Sequence, residues 1–215
     1  MVRPMRSTRV SVLPRLAGAA ALGALATGVA SAQAAPQTKP VADCPPDTFV
    51  QPFLPWHDAS TYFLAPGGDL ETTPAGWMLT GGAAVVAGNE TAHVTSASDA
   101  SSLGLPTGSS ATSPQICVTV HSPNVRLFSA NRGSSRSVLE VFVNYTDNRG
   151  VARTSSVAML RAGSSWSLSL QIMFLSRIAP LVGGHGQTWV SFTFKPTTGG
   201  AWQVDDFYVD PIKSQ

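Results

Sequence analysis

The side chains with the most chemistry to offer lie near the C-terminal end, in Trp202-Gln203-Val204-Asp205-Asp206-Phe207-Tyr208-Val209-Asp210-Pro211. Val204, Phe207, Tyr208 and Val209 favour a strand, and Pro211, which lacks an N–H, closes it. Neighbouring residues of a strand point to opposite faces, so one of Asp205 and Asp206 is expected to turn toward the apolar side. A half-buried carboxylate needs either a cation or several hydrogen-bond donors. A structural metal site between strands meets that need, and so do backbone N–H groups.

A second group surrounds Trp189. Across Thr188 to Phe194, Val190, Phe192 and Phe194 form an apolar side and leave Trp189, Ser191 and Thr193 opposite. An indole among small hydroxyls suits a sugar, because the C–H face of a pyranose stacks on an aromatic ring while its hydroxyls need nearby donors and acceptors. Trp189, Ser191, Thr193, Asn144, Glu140 and Arg126 are the candidate ligand-binding residues. The alternative is that a loop of the same chain covers Trp189.

Catalytic patterns are missing. There is no G-x-S-x-G elbow, H-E-x-x-H helix, P-loop or strand-linked G-x-G-x-x-G, and His57, His93, His121 and His185 are far apart. Glu71, Glu90 and Glu140 give no pairing that glycoside hydrolysis would require. Binding is therefore expected ahead of catalysis. A structural or cell-envelope interaction domain without sugar affinity is the alternative, and a β-sandwich lyase or hydrolase ranks third.

These residues need a scaffold of short strands. From Tyr62 onward, apolar runs are separated by turn residues, with 19 Gly and 16 Pro in the chain. The runs include Trp77 to Thr80, Ala83 to Ala87, Ser101 to Leu105, Val125 to Ala130, Val138 to Tyr145, Val151 to Leu160 and Thr188 to Phe194, a spacing that predicts an all-β sandwich. In Val138 to Tyr145, Leu139, Val141, Val143 and Tyr145 are expected to face the core. A helical turn is allowed within Gln171 to Leu181, with Met173, Phe174, Arg177, Ile178 and Leu181 on one face, until Pro180 and Gly183-Gly184 end it.

Ahead of this domain, residues 1–32 read as a signal peptide of bacterial type. Arg3, Arg6, Arg9 and Arg15 precede a small-residue apolar run that ends at Ala30-Ser31-Ala32. Residues 33–60 read as a proline-rich arm and an irregular strap anchored by Phe53 and Trp56, and residues 61–211 as the sandwich. Four of the 14 basic residues fall in the leader and none of the 12 acidic ones, so 10 basic residues remain against 12 acidic, a net charge of −2. No preference for nucleic acid follows from that balance, and no later apolar run is long enough to span a membrane. The charges are segregated, with no base between Asp43 and Asp99 and seven arginines from Arg126 to Arg177. The fold is expected to interleave the two blocks, with a basic groove as the alternative. Cys44 and Cys117 are the only cysteines, and in an exported protein they predict one disulfide pinning the arm to a central strand.

Gly68-Asp69-Leu70-Glu71 through Gly76-Trp77, taken with Trp202 to Val209, resembles the opening and closing strands of carbohydrate-binding modules with the galactose-binding-like jelly-roll fold, and is similar to secreted bacterial β-sandwich proteins. The resemblance covers roughly Tyr62 to Pro211. It implies an all-β jelly-roll sandwich of two antiparallel sheets, a secreted or envelope-associated protein that binds a polysaccharide or glycoconjugate, and a structural Ca²⁺ between the first and last strands. Glu71 and one of Asp205 or Asp206 would be its ligands, with Asp69 in reserve. Gly67-Gly68 stands where such modules usually carry Asn. The other arrangement has Glu71 capping a turn and the aspartates accepting backbone N–H groups.

Overall fold

The structure, a computed structural model, describes residue 44, residues 48–122 and residues 124–210. The expected signal peptide and most of the arm lie outside the described residues. Two antiparallel sheets stack face to face. The first takes β1 (Phe63–Leu64), β3 (Ala84–Ala87), β4 (Ser101–Leu105), β7 (Asn124–Asn131), β10 (Ser167–Leu168), β11 (Ile172–Met173) and β13 (Trp202–Asp210), and the second takes β2 (Met78–Thr80), β5 (Ser110–Thr112), β6 (Ile116–Thr119), β8 (Leu139–Thr146), β9 (Ala152–Leu160) and β12 (Gln187–Pro196).

In the first sheet the order is β10-β7-β13-β4-β3, with β1 on β13 and β11 on β7; in the second it is β2-β5-β12-β8-β9, with β6 on β12. Each sheet is thus centred on a strand from the C-terminal third, and strands distant in sequence alternate, as a jelly roll requires.

Alternation builds the core as expected. Leu139, Val141 and Val143 of β8 and Phe192 and Phe194 of β12 are fully buried against Leu103, Leu127 and Val204 of the other sheet. Phe207 of β13 is at the centre, edge-on to Phe192 at 5.3 Å and Phe194 at 5.2 Å. The expected seam between the opening and closing segments is present. Phe63 pairs with Val209, the Ala65 N–H donates to Phe207 O (2.9 Å), and the Phe207 N–H donates to Gly68 O (2.9 Å). A Cβ on Gly68 would lie 2.6 Å from Phe207 O, so the close approach of the two segments excludes larger residues there. Glu71 itself is in a bend rather than a strand.

Several expectations need correction. A helix, α1, runs Leu175–His185 and continues through Pro180 and Gly183-Gly184 instead of ending at them. Proline costs it one i→i−4 hydrogen bond, offset by the burial of Phe174 just ahead of it and Ile178 within it, both fully enclosed. Met173 belongs to β11 and is 61% exposed, so it does not share that face. Cys44 and Cys117 form the disulfide, with Cα atoms 5.4 Å apart, which fits an oxidising compartment. Cys117 is on β6, which borders the second sheet, not on a central strand. Closing a loop of 73 positions contributes about 4 kcal/mol in the chain-entropy account.

Asp205 and Asp206 do not point to opposite faces. The ladder between β13 and β7 breaks between Asp205 and Tyr208, where Asp206 adopts φ +50°. This bulge adds a residue on one side and turns both carboxylates toward the loop of residues 88–100.

Candidate functional site

The outer face of the first sheet is covered by the chain itself. The strap carries a 3₁₀ turn, Leu54–Trp56, and lays Phe53 and Tyr62 on Phe128 and Tyr208, forming a second, smaller core. Phe53 contacts Tyr62 at 4.9 Å and Tyr208 at 5.4 Å, both edge-on, and Trp56 contacts Phe128 at 5.3 Å. Arg126 of β7 locks the strap down. Its Nη1 bonds the Asp58 carboxylate at 2.5 Å, its Nε and Nη2 both donate to Ser169 O, and its guanidinium lies 5.0 Å from the Phe53 ring centroid. Burial alone pushes the Asp58 carboxyl up, but hydrogen bonds from Tyr62, Ser60 and Arg126 together hold it below its usual value. Arg126 is therefore a structural anchor on the opposite sheet from Trp189, because Asp58 lies in the irregular strap where no strand pattern signals it.

The outer face of the second sheet carries a groove of about 270 Å³. Trp189, Ser191 and Thr193 of β12 line it together with Asn144 of β8, so four of the six candidate ligand residues meet. Each strand presents alternate residues outward, and the registers Ser191↔Asn144 and Asn144↔Thr154 put these residues in one row across three strands. The polar side chains bond one another. Thr112 and Thr193 share a hydroxyl contact of 2.7 Å, Asn144 Nδ2 donates to Thr193 Oγ1 (2.9 Å), and Thr154 Oγ1 donates to Asn144 Oδ1 (2.8 Å).

The apolar walls are Trp189, half-buried, and Met78 at 65% exposure. The cross-strand partner of Trp189 is Cys117, so the disulfide flanks it on the β6 side. Glu140 is on the same strand as Asn144, beyond the groove, opposite Lys195. Arg153, Thr154 and Gln115 line the groove without having been singled out in the sequence, and Tyr145, expected to face the core, is half-buried and borders the groove as well. For Arg153 and Thr154 the signal was the β8–β9 hairpin, which sets its second strand beside Asn144.

The candidate metal ligands separate. Glu71 is half-buried and its carboxylate accepts the N–H groups of Ala100 (2.9 Å) and Ser101 (2.9 Å). Asp205, fully buried, accepts from the N–H groups of Glu90 and Asp206 at 3.0 Å each. Asp206 accepts from the Thr95 hydroxyl, and its Oδ2 is buried without a partner. Glu90, also fully buried, accepts from the Ala92 (2.6 Å) and Val94 (2.8 Å) N–H groups. Burial first, then neighbouring acidic charge, pushes the Asp205 carboxyl up to about 8 and that of Asp206 up to about 7. Asp69 and Glu71 are near enough for their charges, after burial, to raise Asp99 as well. Among the described residues no three His, Cys, Asp or Glu side chains are arranged around a common metal position. Among the described residues the cluster has oxygen donors, one buried carboxylate oxygen without a hydrogen-bond partner, and no basic side chain bonded to it.

No family model matches the sequence, and no curated protein sequence matches it. Solved structures do resemble it. The CBM22-1 xylan-binding domain of Paenibacillus barcinonensis Xyn10C superposes with TM-score 0.48 at 17% identity, over 69% of this chain and 94% of that one. The tandem CBM22-1-CBM22-2 domain of the same protein gives TM-score 0.50 at 14% identity, over 80% of this chain and 47% of that one. The family 11 carbohydrate-binding module of Clostridium thermocellum Lic26A-Cel5E gives TM-score 0.40 at 13% identity, over 72% of this chain and 96% of that one. At these identities the likeness is one of fold: the chain shares the jelly-roll β-sandwich of carbohydrate-binding modules.

Proposed function

We propose that this protein is a non-catalytic module that binds a polysaccharide or glycoconjugate in the groove on the outer face of its second sheet. One observation carries the reading: Trp189 stands beside a continuous row of hydroxyl and amide groups on a sheet face that the described residues leave open. A sugar ring has an apolar face and a polar rim, and this arrangement is complementary to both. The solved modules of similar fold include one described as xylan-binding, which supports the same class of ligand. The signal-peptide pattern and the disulfide support action outside the cytoplasm, free or at the cell envelope. Retention of the full chain on a panel of immobilised polysaccharides tests this. Retention on at least one, abolished by Trp189→Ala in a protein that still melts cooperatively, is the expected result. A folded protein retained on none of them overturns the reading in favour of a structural or envelope-associated role.

A structural Ca²⁺ at Asp206 belongs to the same proposal, supported by the unpartnered Asp206 Oδ2 and the acidic surroundings of Asp69, Glu71 and Asp99. Asp205, Glu71 and Glu90, whose carboxylates already accept N–H groups, would shape the loop around it. Millimolar Ca²⁺ is expected to raise the melting temperature and a chelator to lower it; a melt insensitive to both removes the ion.

A further inference from the structure

Within the groove the neutral polar groups also bond one another. The Thr112–Thr193, Thr193–Asn144 and Asn144–Thr154 contacts hold the row in place, and its remaining positions suit the hydroxyls of any sugar without choosing among glycans. Among the described residues no aspartate or glutamate lines the groove, although carboxylates are the strongest acceptors that a sugar hydroxyl can meet. The one charged lining residue among them is Arg153, whose side chain is 51% exposed.

Its orientation is set from behind. Asp147 holds its Oδ1 on the Arg149 and Val151 N–H groups at 2.9 Å each, and its Oδ2 accepts Arg153 Nε at 2.8 Å. The guanidinium is thereby steadied through Nε, while among the described residues Nη1 and Nη2 make no hydrogen bond. Two parallel N–H donors on one planar group match the two oxygens of a carboxylate. Arg149 in the same turn adds a second positive charge against the single charge of Asp147, and Glu140, the other acid of this sheet face, is beyond the groove opposite Lys195.

We infer that the groove selects glycans bearing carboxylate groups, uronate units in the backbone or as branches, and that Arg153 is the residue that reads them. The inference rests on the carbohydrate-binding reading and narrows it to acidic polysaccharides. Asp147 is a positioning residue, acting through Arg153.

Titration calorimetry of the full chain against matched pairs tests it: xylan against glucuronoxylan oligosaccharides, and galactan against galacturonan oligosaccharides. At low salt at least one uronate-bearing member is expected to bind about tenfold tighter than its neutral counterpart, with the advantage shrinking as salt is raised. Arg153→Gln is expected to bring the ratio to about one. Asp147→Asn is expected to lower it part of the way: the amide oxygen can keep the two turn N–H bonds, but its NH2 cannot accept Arg153 Nε, so the guanidinium loses its orientation and keeps its charge. A purely structural role for the pair predicts that both variants weaken binding of neutral and uronate-bearing members alike and leave the ratio unchanged, which overturns the assignment to Arg153. Equal affinity for neutral and uronate-bearing members overturns the selectivity and leaves carbohydrate binding intact. Binding to no member of either pair overturns both.

Discussion

On the outer face of the first sheet, Phe128 and Tyr208 are beneath Phe53 and Tyr62 of the strap and are buried. On the outer face of the second, Trp189 stands over Ser191, Asn144 and Thr193 with a groove above it. Both faces consist of outward positions on strands of the same sandwich, and both carry aromatics among polar groups. What separates them is chain connectivity. The strap before β1 and the loop of residues 88–100 cross one face and convert it into a small core, whereas among the described residues no segment crosses the groove of the other, at whose margin Cys44 joins Cys117. An outward aromatic thus becomes a packing residue or a binding platform according to which loops pass over it.

The sharpest way to break this contrast is to unpack the covered face. Phe53 is fully buried and touches Tyr62, Phe128 and Tyr208. Phe53→Ala should cost about 3 to 5 kcal/mol in denaturant unfolding, the range for removing a buried aromatic. A loss near zero would mean that the strap is not part of the folded unit.

Next in size is the pair that holds the strap. Asp58 and Arg126 are 12% and 11% exposed. Arg126→Ala leaves the carboxylate with its Ser60 and Tyr62 partners but removes the link to Ser169, and is expected to cost about 2 to 3 kcal/mol. Glycan binding in the groove should be unaffected, since Arg126 lies on the other sheet. Loss of both stability and binding would show that the two faces are coupled.

The carboxylates under the 88–100 loop predict an unusual pH response. Asp205 and Asp206 are raised to about 8 and 7, so the folded chain holds protons that the unfolded chain releases near pH 4. Their contribution is fully present below about pH 4 and is lost as pH rises toward 8. In a chelator the melting temperature should therefore fall between pH 5 and pH 8, and Asp206→Asn should flatten the fall. A wild-type melt that is level across that window would show the pair ionised and otherwise compensated.

The sequence shows most clearly where pattern and burial coincide. The alternation in Val138 to Tyr145 and Thr188 to Phe194 gives Leu139, Val141, Val143, Phe192 and Phe194 inward and Trp189, Ser191, Thr193 and Asn144 outward, and fails at the ends of the first run, where Val138 is buried and Tyr145 is half-buried beside the groove. Asp206 was misread because a bulge with a non-glycine residue at positive φ has no local signature. Arg126 was misplaced because alternation shows that a side chain points outward without showing which sheet it belongs to or what covers it. Pro180 misled for a related reason: tertiary burial of Phe174 and Ile178 outweighs one missing helical hydrogen bond. Glu90 was passed over as an acceptor for a hydrolytic pair. Its role under the loop depends on Asp205 and Asp206, more than a hundred residues away, which only the fold brings near.

The smallest expected effect on stability comes from the open face. Trp189 is half-buried, with its exposed side bordering the groove, so Trp189→Ala should cost about 1 kcal/mol, well under the cost of Phe53→Ala, while abolishing retention on the glycan. Comparing the two substitutions within one protein removes the dependence on any absolute scale, since both truncate an outward aromatic to the same residue. A Trp189→Ala cost as large as that of Phe53→Ala would make Trp189 core in spite of the groove, and the open face would then be a second covered one, closed by the arm beyond Cys44.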